Sequence, residues 1–284
     1  MLIIADKYQF RPDRPFSPGA ELAGVIDALG TDVTEFVVGD RVMALRQWGG
    51  MAQQVCVKAE KCHRLPDMVS FEQGAALQMT YGTALYGLDQ RGGLKKGETL
   101  LVLGAAGGVG LGHALGATVV AAASSDEKVT TACEHGAKQG VVYPTGSLDR
   151  AAQKTLTGTF KDAVGPKGAD VIFDTVGGAY TEAALRSIGR LGRLLIVGFP
   201  AGIANLPANL PLLKSCDIRG VFWGAAVDRD AAAHHRVMDR LLDLLMAGRL
   251  NPRIHQSYPL AQAGDAIAAL PSRKVQGKIV VSLE

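Results

Sequence analysis

The sequence predicts an α/β protein, in which a doubly wound parallel sheet is joined to a β-rich N-terminal region. Two observations carry this prediction. Near Leu94 the pattern changes from turn-bounded apolar runs to apolar runs that alternate with helical segments, and one of these runs leads directly into a glycine-rich turn, Gly104–Gly110. The 284 residues are 48% hydrophobic and 20% charged, which is enough apolar material for a large core and excludes a disordered chain.

The N-terminal third is predicted to be antiparallel and barrel-like. Short apolar or partly alternating runs are separated there by glycine and Gly-Asp turns, a pattern typical of β-hairpins. The predicted strands of this region are Leu22–Leu29, Arg41–Leu45 and Met51–Lys58.

From residue 94 onward, strand and helix patterns alternate, which indicates βαβ units with helices on both faces of a parallel sheet. The predicted strands are Leu100–Leu103, Thr118–Ala122, Gly140–Tyr143, Asp170–Asp174 and Leu194–Val197. The predicted helices between them are Asp126–His135, Leu148–Val164 and Thr181–Ile188. The helices Asp230–Ala247, followed by Gly248 as the C′ residue, and Leu260–Leu270 then lead to a last strand, Lys278–Ser282.

Composition excludes several classes of protein. A net charge of +3 gives no reason to expect nucleic acid as a partner. The two apolar stretches Thr99–Ala123 and Leu194–Leu213 are interrupted by glycines or prolines, so neither is expected to cross a membrane. The four cysteines form no CxxC pair and the first residues lack a signal-peptide pattern, which favours a cytoplasmic protein.

The glycine-rich turn predicts a dinucleotide-binding site of the Rossmann type. The apolar strand leads into Gly104, Gly107 and Gly110, spaced three apart, and the segment Gly107-Gly108-Val109-Gly110 opens the next helix. Glycines at these positions permit the tight turn, let backbone N–H groups approach a pyrophosphate, and let helix and strand pack closely. A glycine loop that serves packing alone is the alternative.

The end of the second parallel strand favours NADP(H) over NAD(H). An NAD site usually has an acidic residue there, about 20 residues after the turn, that binds the ribose 2′-OH. Here Ser124 and Ser125 precede Asp126, and Lys128 follows; hydroxyls and a cation suit a 2′-phosphate. Two alternatives remain: Asp126 could bind an NAD ribose, and Ser124 with Glu127 could form a capping box that leaves Ser125 and Lys128 free.

Motifs along nearly the whole chain resemble the medium-chain dehydrogenase/reductase superfamily, and within it the zinc-free, zeta-crystallin-like quinone oxidoreductases. The motifs are Pro15–Gly24, Val38–Val42, Gln78–Ala84, Ala105–Gly110, Asp174–Gly178 and Arg273–Lys278. The resemblance implies a GroES-like domain over residues 1–79, a Rossmann domain over 80–222, and a segment 223–284 that returns to the first domain. It also implies an active cleft between the two domains and a homodimer formed through the sheet edge Asp217–Trp223.

The resemblance also implies roles for individual residues. Thr83 corresponds to a residue near the nicotinamide ribose, Lys128 and Tyr143 to an NADP-selective pair, and Arg273 to a phosphate partner. The segments Gly198-Phe199 and Phe222-Trp223 correspond to backbone that borders the nicotinamide, and Tyr8 to a tyrosine at the mouth of the substrate cleft. The alternatives are that Tyr143 only ends a strand and that Phe222 and Trp223 are core aromatics.

No metal site is expected. Zinc alcohol dehydrogenases of the superfamily have a histidine where this chain has Ala20, and the chain lacks the closely spaced cysteines of a structural zinc site. Hydride transfer without a Lewis acid requires an acceptor that is already electrophilic, such as a quinone or an enone. The leading hypothesis is therefore an NADPH-dependent quinone oxidoreductase. The alternatives are an enoyl- or acryloyl-thioester reductase and an NADPH-binding but catalytically silent protein.

Two departures from the family pattern are expected to matter. Relative to the family the chain is N-terminally truncated, since it starts after the first expected strands, and this favours the silent alternative. The helix after the glycine turn is predicted to be short, spanning Gly108–Leu115, and Gly112 is expected to weaken it by about 1 kcal/mol.

Overall fold

The computed structural model describes residues 3–6, 11–104, 107–270 and 275–283. The chain divides into two compact units. The first unit comprises Met1–Gly82 and Val227–Glu284, and the second comprises Thr83–Ala226. The three-part domain division at 79/80 and 222/223 stays a prediction.

The described strands are β1 (Glu21–Val25), β2 (Arg41–Leu45), β3 (Cys62–Arg64), β4 (Thr99–Leu103), β5 (Thr118–Ala123), β6 (Gln139–Val142), β7 (Ala169–Asp174), β8 (Ile188–Ile196), β9 (Asp217–Gly220), β10 (Ile254–Pro259) and β11 (Lys278–Ser282). The described α-helices are α1 (Phe71–Leu77), α2 (Thr80–Leu85), α3 (Gly107–Ala114), α4 (Asp126–Glu134), α5 (Arg150–Val164), α6 (Gly178–Leu185), α7 (Asn209–Lys214), α8 (Trp223–Arg229), α9 (Ala231–Met246) and α10 (Ala263–Ala269).

The first unit contains a three-stranded antiparallel sheet in the order β1-β2-β3 and a parallel pair of strands, β10 and β11. Its small apolar core includes Phe36, Val42, Ala44 and Cys62. The predicted strand Met51–Lys58 is wrong, because this segment is irregular and β3 forms later, at Cys62–Arg64. The main chain of Met51 is instead bonded to a distant loop, with its N–H donating to Pro18 O at 2.9 Å.

The second unit is a six-stranded parallel sheet in the order β6-β5-β4-β7-β8-β9. The strand order reverses between β4 and β7, which is the switch point of a doubly wound sheet. The apolar runs of β4, β5 and β7 are almost fully buried, as expected for strands covered by helices on both faces. The predicted fold class is confirmed.

Helix α3 packs unusually close to the sheet. A Cβ atom added to Gly112 would contact the side chain of Leu100 and lie 3.1 Å from Val119 Cγ2. The glycine that lowers the helix propensity therefore permits this close packing. At eight residues and about 12 Å, α3 is as short as the sequence predicts.

Helix α9 is followed by Gly248 in the left-handed region (φ +67°), as predicted for a C′ glycine. Within the described residues, no helix combines the length and apolar character needed to cross a membrane.

Candidate functional site

The carboxyl ends of the parallel strands form one edge of the second unit. Because all six strands run in the same direction, the residues that follow them share this edge, which is where open α/β sheets bind ligands. The residues directly after the strands are Gly104, Ser124, Tyr143, Thr175, Val197 and Val221.

The described glycines that follow β4 stand at positions of close packing. Gly104 has φ +73°, and a Cβ atom there would collide with the hydroxyl oxygen of Thr175. Helix α3 starts at Gly107, and a Cβ atom on Gly108 would lie 3.2 Å from Phe173 Cδ1. A helix N-terminus after such a turn presents N–H groups and a positive dipole end, so these residues fit a pyrophosphate.

The two serines that follow β5 form different hydrogen bonds. Ser125, not Ser124, is the N-cap of α4, and its hydroxyl accepts a hydrogen bond from the Lys128 N–H at 3.4 Å. The alternative that a cap would leave Ser125 free is therefore wrong. The Lys128 ammonium donates to the Ser124 hydroxyl at 3.3 Å, so a hydroxyl and a cation stand together at this strand end.

Tyr143, at the end of β6, is buried. Its ring packs against Tyr180 with 5.0 Å between centroids, and burial raises the pKa of the Tyr143 phenol, with smaller contributions from Tyr180 and Asp174. The Tyr180 hydroxyl in turn donates to Pro144 O at 2.7 Å. This packing is compatible with both hypotheses for Tyr143, the cofactor role and the strand-ending role.

Two residues at the switch point were not predicted as site residues, although both stand in the motif Asp174–Gly178. Thr175 Oγ1 donates to Leu103 O at 2.8 Å and so links the ends of β4 and β7. The Asp174 carboxylate is fully buried and accepts hydrogen bonds from the turn that follows it. The available signal was a polar pair at the end of an apolar strand, where Asp174 is the last residue of β7 and Thr175 follows it.

The segments after β8 and β9 carry the remaining predicted positions of this edge. The backbone N–H of Gly198 donates to Asp174 O at 3.3 Å, and the side chains of Phe199 and Phe222 are half exposed. Trp223 is buried and packs on Tyr86 with 5.5 Å between centroids, so the core interpretation describes its side chain.

Three predicted positions are not among the residues that follow the six strands. Thr83 is half-buried within α2. Tyr8 and Arg273 lie outside the described residues, and their roles stay predictions.

The segment that would carry a zinc ligand is occupied by internal contacts. Glu21, which follows Ala20, accepts hydrogen bonds from the Met79 N–H at 2.6 Å and from the Lys278 ammonium. Over residues 3–6, 11–104, 107–270 and 275–283, no three His, Cys, Asp or Glu side chains are grouped so that they could hold a metal ion.

Comparison with known proteins gives consistent matches. Residues 2–67 match the family model of the alcohol dehydrogenase GroES-like domain, and residues 136–281 match that of the zinc-binding dehydrogenases. Quinone oxidoreductase-like protein 2 of Bos taurus is 38% identical over 291 residues, which cover 100% of this chain and 81% of the relative. The quinone oxidoreductase of Pseudomonas aeruginosa is 32% identical over 279 residues, covering 95% of this chain and 83% of the relative. The structure of Escherichia coli quinone oxidoreductase complexed with NADPH aligns with a TM-score of 0.86 and 25% identity, over 98% of this chain and 87% of that one.

The chain therefore belongs to the medium-chain dehydrogenase/reductase superfamily of oxidoreductases, in the branch whose members are named quinone oxidoreductases. The family resemblance predicted from the sequence motifs is confirmed.

Proposed function

We propose that this chain transfers reducing equivalents from NADPH to quinones or related electrophilic carbonyls without zinc. One observation carries the proposal: closely packed glycines follow β4 and open α3, and a hydrogen-bonded serine–lysine pair follows the neighbouring strand β5. The names of the relatives and the NADPH in the Escherichia coli structure support the same conclusion.

The chain's own residues would bind and orient the coenzyme. The backbone of Gly107, Gly108, Val109 and Gly110 would bind the pyrophosphate, since it opens α3. Lys128 would bind the 2′-phosphate, because an ammonium has three donors and the Ser124 hydroxyl occupies one. NADPH supplies the hydride when bound.

The remaining assignments rest on position in the family pattern. Thr83, Tyr143 and Arg273 would contact the ribose and phosphate groups. Gly198, Phe199, Phe222 and Trp223 would border the nicotinamide.

The absence of zinc from the reaction is supported by the donor set. Ala20 offers no ligand, and the carboxylate of Glu21 is engaged by Met79 and Lys278. Without a Lewis acid, the acceptor itself has to be electrophilic.

The proposal predicts that turnover survives exhaustive dialysis against a chelator, and that metal analysis of active protein finds no stoichiometric zinc. Loss of turnover on chelation, with recovery on adding zinc, would contradict it.

Three acceptors separate the candidate activities. NADPH consumption is followed with phenanthrenequinone, a simple enone and an acryloyl thioester. Preference for the quinone supports the proposal, preference for the thioester supports the reductase alternative, and tight NADPH binding without oxidation by any acceptor supports the silent alternative.

Tyr8 is proposed to polarise the acceptor oxygen. A Tyr8→Phe variant that turns over all three acceptors at the wild-type rate would dismiss that role.

A homodimer in the cytoplasm is also proposed. Among the described strands, β9 pairs with β8 alone, and Ile218 on it is exposed together with Leu212 and Leu213 of α7. Light scattering after size-exclusion chromatography should report a dimer, and Ile218→Lys should shift it to a monomer. A wild-type monomer at micromolar concentration would exclude this interface.

A further inference from the structure

Asp174 uses both oxygens of a fully buried carboxylate to fix the turn that follows β7. Its Oδ1 accepts hydrogen bonds from the N–H groups of Val176 at 2.8 Å and Gly177 at 3.0 Å. Its Oδ2 accepts one from the hydroxyl of Thr181, on α6, at 2.5 Å. Three donors from two elements therefore converge on one side chain.

The turn fixed in this way is interlocked with the segment 197–202. The main-chain oxygen of Asp174 accepts from the Val197 N–H at 2.9 Å and the Gly198 N–H at 3.3 Å. Two further backbone hydrogen bonds, Ala201 N–H to Val176 O at 2.9 Å and Gly178 N–H to Gly202 O at 2.7 Å, join the two segments farther along.

The turn after β7 and the segment 197–202 are in direct backbone contact. Gly177 has φ +81°, and a Cβ atom on it would lie 2.7 Å from Phe199 Cα. Because the two backbones touch, a displacement of the turn moves the main chain at Phe199.

A buried carboxylate contributes little net stability compared with a well-packed apolar side chain, because removing the charge from water is costly. What it provides here is a single position for the turn, since carboxylate-to-amide hydrogen bonds are strong and directional. Asparagine would keep one acceptor oxygen for the two amides, but it would place an amide group opposite Thr181.

We propose that Asp174 is a positioning residue, whose carboxylate sets the backbone of residues 197–202 for binding the coenzyme. The proposal rests on the proposed function, in which Gly198 and Phe199 border the nicotinamide. Asp174 acts through the turn and does not itself touch the coenzyme.

The test compares Asp174→Ala, Asp174→Asn and Thr181→Val with a matched control. The control lies at the amino ends of the strands of the same sheet, away from the carboxyl ends where Asp174 lies. Glu98→Ala removes another carboxylate with three contacts, to Arg193 Nη1 at 3.0 Å, Arg193 Nη2 at 2.7 Å and the Lys95 N–H at 2.8 Å, just before β4 begins. Amide hydrogen exchange of residues 197–202 is measured without coenzyme. The Kd for NADPH and the KM and kcat with the best acceptor are measured at a temperature where every variant is folded.

Asp174→Ala should speed exchange at 197–202 and raise the NADPH Kd by about tenfold or more, since hydrogen bonds to charged groups are lost. Asp174→Asn and Thr181→Val should show smaller changes of the same kind. Glu98→Ala should lower thermal stability while leaving the exchange of 197–202 and the Kd unchanged. If Asp174→Ala does not fold, Asp174→Asn and Thr181→Val decide.

Unchanged exchange at 197–202 in the Asp174 variants, or an equal loss of NADPH affinity in Glu98→Ala, would overturn the positioning role. Failure of the wild-type protein to bind NADPH would instead overturn the proposed function. The two failures are distinguishable because hydrogen exchange is measured without coenzyme.

Discussion

Acidification from pH 6.5 to 5.0 should destabilise the first unit through two buried histidines. His63 on β3 and His234 on α9 are 4% and 1% exposed, and His63 Nε2 lies 3.4 Å from His234 Nδ1. Burial, then the charges of His234 and His235, lowers the pKa of His63 from 6.5 to about 2. Burial, then the charges of His235 and Lys61, lowers that of His234 to about 4. Both imidazoles are therefore neutral in the folded protein at pH 5.

The size of the effect follows from proton linkage. In the unfolded chain both histidines titrate near 6.5, so below that pH unfolding takes up protons that the folded state does not bind. Well below pH 6.5 each histidine costs about 1.4 kcal/mol of stability per pH unit. Because only half of the unfolded histidines are protonated at pH 6.5, the loss between pH 6.5 and 5.0 is about 1.6 kcal/mol for each histidine and about 3 kcal/mol for the pair. This stability is fully present above pH 6.5 and is lost as the pH falls toward the folded pKa values.

Urea unfolding at a series of pH values between 7 and 5 measures this loss. His63→Gln and His234→Gln should each reduce the pH dependence by about one proton taken up per molecule unfolded. His255→Gln replaces an exposed histidine on β10 and serves as the control, with the wild-type slope expected. The buried-pair explanation fails if His63→Gln retains the full slope, or if the wild-type free energy of unfolding is flat across this range.

Three further outcomes are expected. Lys128→Ala should raise the KM for NADPH about tenfold to a hundredfold and leave that for NADH nearly unchanged, because a charge-assisted contact to the 2′-phosphate is lost; equal effects on both coenzymes would refute the assignment. Gln78→Met should raise the free energy of unfolding in urea by about 1 kcal/mol or more, because the fully buried Gln78 amide has no hydrogen-bond partner among the described residues; a loss of stability would show that the amide is satisfied. Gly112→Ala should lower the melting temperature, since overpacking against Leu100 costs about 1–3 kcal/mol and outweighs about 1 kcal/mol of helix propensity; a higher melting temperature would show that α3 can move away from the sheet.

The parallel sheet could be predicted from sequence because its strands are buried on both faces and therefore appear as continuous apolar runs. The run Thr118–Ala122 differs from β5 by a single residue at its end. Strand β8 was harder: only Leu194–Val197 was predicted, whereas the strand runs from Ile188 to Ile196. Its first half contains two glycines, and the exposed Leu191 has φ +63°, so local sequence gives no strand signal there.

The first unit and the switch point depended more on tertiary contacts. Partial alternation over Met51–Lys58 indicated a strand, but Met51 forms its hydrogen bonds with the Ser17–Pro18 segment instead of with a neighbouring strand. The role of Thr175 depends on Leu103, which is 72 residues away, and that of Asp174 depends on backbone contacts of its turn with the segment 197–202. Composition and spacing cannot give such pairings.

The choice of N-cap between the two serines after β5 also affects the candidate coenzyme site. Both Ser124 and Ser125 are good N-cap residues, so the sequence alone could not decide which one starts α4. Because Ser125 is the cap, the N–H that it accepts belongs to Lys128, and the side chain of that same lysine donates to Ser124. The hydrogen bond that caps the helix thus also fixes the backbone of Lys128, the residue proposed to bind the 2′-phosphate. If Lys128 binds the 2′-phosphate as proposed, coenzyme selectivity and the stability of the first turn of α4 depend on the same residue, and Ser124 is the serine whose hydroxyl contacts the Lys128 ammonium.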